Sequence, residues 1–388
     1  MMAAAGWTGR NTTMRKLIGV AVACLLGGLL VGTTAYAAPA ERGQRGHGLV
    51  LDRPATRPDS ATLTGRAAGH RDVVLQKRRH GAWRDVRVLR VRDGRYRTEV
   101  GRSGHDQRFR TRAGHHTSRA RTVAAKVKTP SDGCGAQPRK ADGSYWSCTF
   151  VDDFNGTTLN RTKWVPQTIF STGDALSGYA CYDDDKSVVS VGGGTLNLSV
   201  RKNATALPCA NGLPPTPYRA GMVSTYHLFS QQYGRFEARF KTTATTAPGL
   251  QESWWLWPDD RDPLAQLLWP LNGEIDIAET YSVYPDLGIP FLHYGESDNG
   301  GPIPGTNTSW SCAAPRGVFN TYTLEWTASR LEVLINGHTC LVNTSGDSAF
   351  RKHYILNLTQ ALGTGADAMT AATKVPAVMN VDYVKVWK

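Results

Sequence analysis

The sequence predicts an all-β protein, a large two-sheet β-sandwich preceded by a small one. Polar and apolar residues alternate with period two across some 240 residues, and no convincing amphipathic helix interrupts them. Forty glycines and 20 prolines in 388 residues supply turns and disfavour long helices. A hydrophobic content of 40% with 9% aromatics is enough for a packed core and excludes wholesale disorder. The formal net charge of +13 is unevenly spread: residues 38–130 carry 23 basic and 8 acidic side chains, residues 131–388 carry 19 and 24. The front third is therefore basic and the remainder mildly acidic and rich in tryptophan.

Residues 1–37 have the order of a secretory signal: Arg15 and Lys16, an apolar run over 17–31, then Ala35-Tyr36-Ala37 before Ala38. That run is shorter than the roughly 20 residues a spanning helix needs, so cleavage after Ala37 and secretion are expected. Beyond it stand six cysteines, Cys134, Cys148, Cys181, Cys209, Cys312 and Cys340. An even count in an exported chain points to disulfides, and short loops suggest 134–148, 181–209 and 312–340. The absence of CxxC and HExxH disfavours zinc.

Residues 38–125 read as a basic module. Short alternating runs at 61–64, 73–76, 86–91, 96–100 and 108–112 are punctuated by Gly65, Gly69, Gly81, Gly94, Gly101 and Gly104. The pattern resembles the immunoglobulin-like or fibronectin-like β-sandwich modules of secreted bacterial enzymes. Its aromatics are sparse (Trp83, Tyr96, Phe109), which argues against a stacking platform for sugars. Its arginines make either a solvated basic face or one that adheres to an anionic cell-wall polymer, and export disfavours nucleic acid. Residues 126–145, with Pro130, Gly133, Gly135 and Pro138, read as a linker. Residues 146–388 then carry long alternating strands, at 195–200, 235–240, 322–326, 331–335 and 381–387.

The chemistry concentrates in Gly273-Glu274-Ile275-Asp276-Ile277-Ala278-Glu279. In a strand, Glu274 and Asp276 point one way and the isoleucines the other, which leaves Glu279 on the apolar side. A β-bulge at about Ala278 returns it to the face of the other two. The two glutamate Cα atoms then lie about 13 Å apart, and side chains leaning together reach the ~5–5.5 Å of a retaining glycosidase. Three carboxylates on one face cannot all ionise freely, so one pKa must rise. Glu274 is expected as nucleophile, Glu279 as an acid/base protonated at rest, and Asp276 as the group that orients the nucleophile. A solvated acidic strand or a calcium cluster would look similar from acidity alone. Trp254, Trp255 and Trp257 upstream, and Trp269-Pro270 immediately before, add aromatic faces suited to pyranose rings. By alternation Trp255 and Trp257 share one face and Trp254 takes the other.

From about Thr149 onward the chain resembles glycoside hydrolase family 16, the laminarinase-like retaining endo-β-1,3-glucanases. The E-I-D-I-A-E run matches the family's bulged E-x-D-x-x-E signature. In order along the chain, Asp152-Asp153-Phe154-Asn155-Gly156, Ala220 to Thr225, Tyr233 to Arg239, Trp269 to Gly273 and Leu292-His293-Tyr294-Gly295 resemble further family segments. The resemblance implies a β-jelly-roll, hydrolysis with retention and an open cleft. It carries Glu274, Asp276 and Glu279 over as nucleophile, orienting acid and acid/base. Trp255 and Trp269 carry over as sugar platforms, joined by Trp257 from its shared face, and His293 is placed near the acid/base. Asp153 and Asp382 match positions where some members bind calcium. One departure stands out: Gln251-Glu252 replace the usual Trp-Pro, a change expected to reshape a distal subsite.

The leading expectation is a secreted, monomeric endo-β-1,3-glucanase acting on laminarin-like β-glucans, with no required cofactor. Alternatives keep the mechanism on an agarose-type galactan or a mixed-linkage glucan, or transfer the sugar to a hydroxyl. A non-catalytic glucan- or wall-binding protein is the alternative of another class.

Overall fold

The computed structural model describes residues 48–388, apart from 127, 211, 296–302 and 304. The expected signal segment, residues 1–37, lies outside the described residues. The described chain forms two units with the boundary between Thr129 and Pro130.

In the first unit every alternating run read from the sequence is a strand: Ser60–Arg66, Asp72–Arg79, Ala82–Arg90, Arg95–Gly101 and Gln107–Ala113. They divide between two small antiparallel sheets. Leu51, Leu63 and Tyr96 from one, and Val73, Leu75, Leu89 and Phe109 from the other, bury into one core. The strand Gln107–Ala113 illustrates the patterning, with Phe109, Thr111 and Ala113 inward and Arg108, Arg110 and Arg112 on the opposite face.

The second unit is a large sandwich. One sheet pairs Thr195–Leu207, Ala377–Trp387, Gly234–Lys241, Asn320–Thr327, Arg330–Ile335 and His338–Asn343 in that order through its centre. The other is six-stranded: Val165–Pro166, Met222–Ser224, Tyr354–Leu362, Leu250–Pro258, Glu274–Tyr281 and Ile289–His293, all antiparallel. Phe236, Phe240, Leu324, Trp326 and Val381 from the first sheet meet Trp254, Leu256, Ile275, Ile277, Leu356 and Leu358 from the second in one core. Burying each such side chain stabilises by roughly 1.5–3 kcal/mol, so the alternation alone sets which face of each strand turns inward. Among the described residues the helices are short 3-10 turns, at Pro263–Gln266, Ser348–Phe350 and Gly365–Asp367.

Cys134–Cys148, Cys181–Cys209 and Cys312–Cys340 are disulfides, with Cα–Cα separations of 5.5–5.7 Å. The first of them changes the reading of the linker. From Pro130 the segment belongs to the large unit, where Ser131–Asp132 and Gly135–Ala136 form a hairpin. Cys134 is buried against Trp146 and Trp387, so a Pro/Gly-rich stretch that reads as a spacer is pinned by its disulfide and two indoles.

Candidate active site

The strand Glu274–Tyr281 lies between Leu250–Pro258 and Ile289–His293, and its register slips against both. Trp254 pairs with Ala278 but Trp255 pairs with Asp276, so Ile277 is the extra residue of a β-bulge beside Ala278. Ile275, Ile277 and Ala278 are all fully buried in the core. With one residue consumed, Asp276 faces out beside Trp255 and Glu279 faces out beside Ser253. Ser253 and Trp255 are two residues apart on one strand, so the carboxyl groups share a face. Gly273 precedes the strand at φ +82°, and a Cβ there would lie 2.2 Å from the Tyr354 hydroxyl. The chain enters the strand through a position that only glycine fits.

Each carboxyl has its own partners. The Trp269 indole N–H donates to Glu274 Oε2 at 2.8 Å. His293 pairs across the ladder with Glu274, and its Nε2 lies 3.3 Å from Asp276 Oδ2. The Gln251 amide donates to Glu279 Oε1 at 2.7 Å. His293 thus sits by register against the Glu274–Asp276 end, before the bulge that falls between Asp276 and Glu279, and its charge acts on Glu279 as well. Its ring lies 5.1 Å from that of Trp269 and 4.2 Å from that of Phe291.

All three acids are pushed upward. Burial, followed by the charge of Asp276, raises Glu274 to about 8. Burial and then Glu279 hold Asp276 well above the usual carboxylate range. Glu279 is also raised by burial, with hydrogen bonds from Tyr281 and Gln251 and the charge of His293 pulling the other way. The rise expected of one acid extends to all three, because desolvation acts on the whole cluster, and the acids must share protons.

The aromatic residues divide as alternation requires. Trp254 is wholly in the core, whereas Trp255 and Trp257 share the carboxyl face, edge to face with centroids 6.2 Å apart. The Trp255 indole donates to Thr359 Oγ1 at 2.9 Å, and Trp269 is 41% exposed at the other side of the acids. The Gln251-Glu252 pair is not distal. Gln251 reaches an acid of the cluster, and Glu252 turns into the core against Arg316. Sequence reasoning also missed Tyr281 and Asn357; both lie on the carboxyl face by register, opposite Gln251 and Trp255. Parity along Gln251, Ser253 and Trp255 is the signal that would have placed Gln251 there.

A calcium site at Asp153 and Asp382 does not fit. Asp153 lies 3.4 Å from Lys385 Nζ and Asp382 is bonded to Arg239, so each carboxylate already faces its own cation. Three groups do bring potential ligands together among the described residues. Cys134 and Cys148 beside Asp132 are tied in a disulfide, and Asp259 beside His227 and Asp260 is held by Arg261. In Glu274, Asp276 and His293, ligand atoms lie within 4.8 Å of one another.

A bulged strand presenting a buried Asp276 between two half-buried glutamates, beside indole rings, has the groups for acid/base and nucleophilic chemistry on a sugar. The family model for glycosyl hydrolases family 16 matches residues 177–385, more than half of the chain and the whole of this strand. The chain belongs to that family. This family 16 chain is 24% identical over 263 residues to glucan endo-1,3-beta-glucosidase A1 of Niallia circulans, covering 61% of this chain and 37% of that protein. It is 28% identical over 269 residues to endo-1,3-1,4-beta-glycanase EglC of Rhizobium meliloti, covering 63% and 52%. It therefore spans between about a third and a half of the length of these relatives. Among solved structures, SCLam, a non-specific endo-beta-1,3(4)-glucanase, aligns with 27% identity and a TM-score of 0.54, over 68% of this chain and 96% of that one. An endo-beta-1,3-glucanase from Pyrococcus furiosus, at 22% identity and a TM-score of 0.53 over 64% and 96%, shares the fold. The large sandwich of this family 16 chain is thus a jelly-roll of the same kind.

Proposed function

We propose that this chain is a secreted endo-β-glucanase that hydrolyses internal β-1,3-glucosidic bonds of laminarin-like glucans by double displacement. The observation that carries the reading is the bulge, which gives Glu274, Asp276 and Glu279 a common face. With Glu274 ionised and the shared proton on Glu279, Glu274 attacks the anomeric carbon while Glu279 delivers that proton to the departing glycosidic oxygen, leaving a glycosyl ester on Glu274. Water then attacks that carbon, Glu279 takes its proton, and Glu274 leaves, so the anomeric configuration is retained. The Trp269 N–H stabilises negative charge on Glu274, and Asp276 lies between the two glutamates and orients the nucleophile. Asn357 Nδ2 and His293 Nδ1 are buried with no hydrogen-bond partner among the described residues, and by register both residues lie on the carboxyl face. Three disulfides accord with export to an oxidising compartment.

A second reading keeps every catalytic role and changes the polymer to a mixed 1,3-1,4-glucan. The similarity to EglC and SCLam favours it. Reducing-end release by the full chain on laminarin, lichenan and agarose separates the readings, and following the anomeric proton by NMR tests retention. Release confined to lichenan would move the assignment to the second polymer. Silence on all three would remove the enzymatic reading.

The basic unit has a separate role in this proposal. Arg108, Arg110 and Arg112 occupy one face of their strand, and by register Arg78, Trp83, Val88 and Arg90 join them together with Asp72 and Asp85, the latter 3.2 Å from Arg112. Such a face attracts an extended anionic wall polymer, since guanidinium groups pair bidentately with oxyanions.

A further inference from the structure

Gln251 lies outside the carboxyl strand, yet its side chain reaches the acid assigned to proton transfer. It sits on Leu250–Pro258, four residues before Trp255 and opposite Tyr281 in the ladder. Its Nε2 is 2.7 Å from Glu279 Oε1 and 3.4 Å from the Tyr281 hydroxyl, so one amide touches both groups that flank the end of the cluster. The next residue, Glu252, is fully buried and held by Arg316 at 2.7 and 2.8 Å, by Thr280 at 2.8 Å and by Gln360 at 3.0 Å. That network clamps the backbone from the core side and fixes where the Gln251 side chain emerges on the other.

We infer that Gln251 is the positioning residue for Glu279, holding its carboxyl in place through both halves of the reaction. The inference rests on the proposed roles of Glu274 and Glu279. An acid/base must be held while protonated in the first step and while ionised in the second. A primary amide suits this, because its N–H donates to a carboxylate and, turned over, its C=O accepts from a carboxylic acid. An apolar side chain at this position could do neither, and a charged one would favour one protonation state.

The other groups facing Glu279 do not offer the same service. Asp276 and Glu274 on its own strand repel its charge, and Tyr281 donates to the ionised form. His293, on the neighbouring strand, acts on it only through charge. On Leu250–Pro258 itself, Ser253 pairs with Glu279 across the ladder and carries no charge. With the donor at Gln251 removed, the repulsion and desolvation remain, and Tyr281 and the charge of His293 offset them only in part.

The test uses the full chain with Gln251→Met, Gln251→Glu and Gln251→Lys, assayed for kcat/KM against pH on laminarin and on a dinitrophenyl β-glucan oligosaccharide. The alkaline limb reports loss of the Glu279 proton. It should move upward by roughly half to one pH unit in Gln251→Met, further upward in Gln251→Glu, and downward in Gln251→Lys. Gln251→Met should lose about tenfold on laminarin and little on the dinitrophenyl substrate, whose leaving group needs no proton. Equal losses on both substrates with an unmoved limb in all three variants would overturn the inference, as would a limb order that ignores the sign of the charge. Melting temperatures within a few degrees of the parent establish that each variant is folded. Glu279→Gln is the control for the reading beneath: if it slows neither substrate, the role of Glu279 fails. If it slows laminarin alone while the Gln251 variants behave as the parent, only the inference fails.

Discussion

Glu252 and Arg316 form a fully enclosed bidentate ion pair, Oε2 to Nη1 at 2.8 Å and Oε1 to Nη2 at 2.7 Å, directly behind the carboxyl strand. Thr280 and Gln360 complete the hydrogen bonding of the carboxylate. Arg316 Nε also donates to the Thr243 carbonyl at 2.9 Å. A buried pair of this kind need not stabilise relative to apolar residues, but half of it is costly. Glu252→Leu should therefore destabilise by roughly 3–5 kcal/mol, because it strands a buried guanidinium. Adding Arg316→Met should recover much of the loss. Denaturant unfolding of the two single variants and the double variant measures this coupling, and simple additivity would show that the pair is not a unit.

Replacing the nucleophile separates chemistry from binding. Glu274→Gln should abolish detectable turnover on laminarin while leaving laminarin binding, followed by tryptophan fluorescence, within about threefold of the parent. Undiminished turnover would remove the nucleophile assignment. Loss of binding along with turnover would indicate a collapsed cleft.

The same substitution has a signature in stability. Glu274 is raised to about 8 in the folded chain, against 4.5 for an unburied glutamate. A raised carboxyl contributes its stability below the unfolded pKa and loses it as pH climbs toward the folded one. Melting temperature should therefore fall between pH 5 and pH 8 by several degrees more in the parent than in Glu274→Gln, which has no proton to lose there. Parallel curves would mean that the carboxyl is solvated.

Trp269 combines a ring with an N–H donor to Glu274. Trp269→Phe keeps the aromatic face and removes the donor, so its main effect should be on kcat, about tenfold, with the acidic limb of the pH profile displaced upward. Trp255→Ala should instead raise KM, because it removes an aromatic face but no hydrogen bond to a carboxyl, its indole N–H being donated to Thr359. Steady-state kinetics on laminarin distinguish these two patterns.

For the basic unit, exchanging Arg108, Arg110 and Arg112 together for Gln should weaken retention on insoluble anionic wall material. The parent should be released by salt near 0.5 M, where the screening length is only a few ångströms. Hydrolysis of soluble laminarin should not change. Retention that ignores both salt and the substitutions would place any adhesion elsewhere.

Much of this molecule was legible before the structure. Period-two alternation designates the core face of each strand because a pleat has only two sides, and Trp254 against Trp255 and Trp257 followed that rule. The cysteine pairing that short loops suggested, one of several open to six cysteines, is the one the chain forms. The bulge was legible too, because without it an acid would lie in the core beside Ile275 and Ile277, which desolvation forbids. Other features needed the folded chain. The segment after Pro130 looks like a spacer until its disulfide and Trp387, more than 200 residues away, hold it down. Which strand lies beside which, and in what register, depends on contacts between distant residues that a one-dimensional pattern does not record. That register put His293 against Asp276, Gln251 against Glu279 and Glu252 against Arg316. Alternation determined which way each side chain points, and only tertiary pairing decided what it meets.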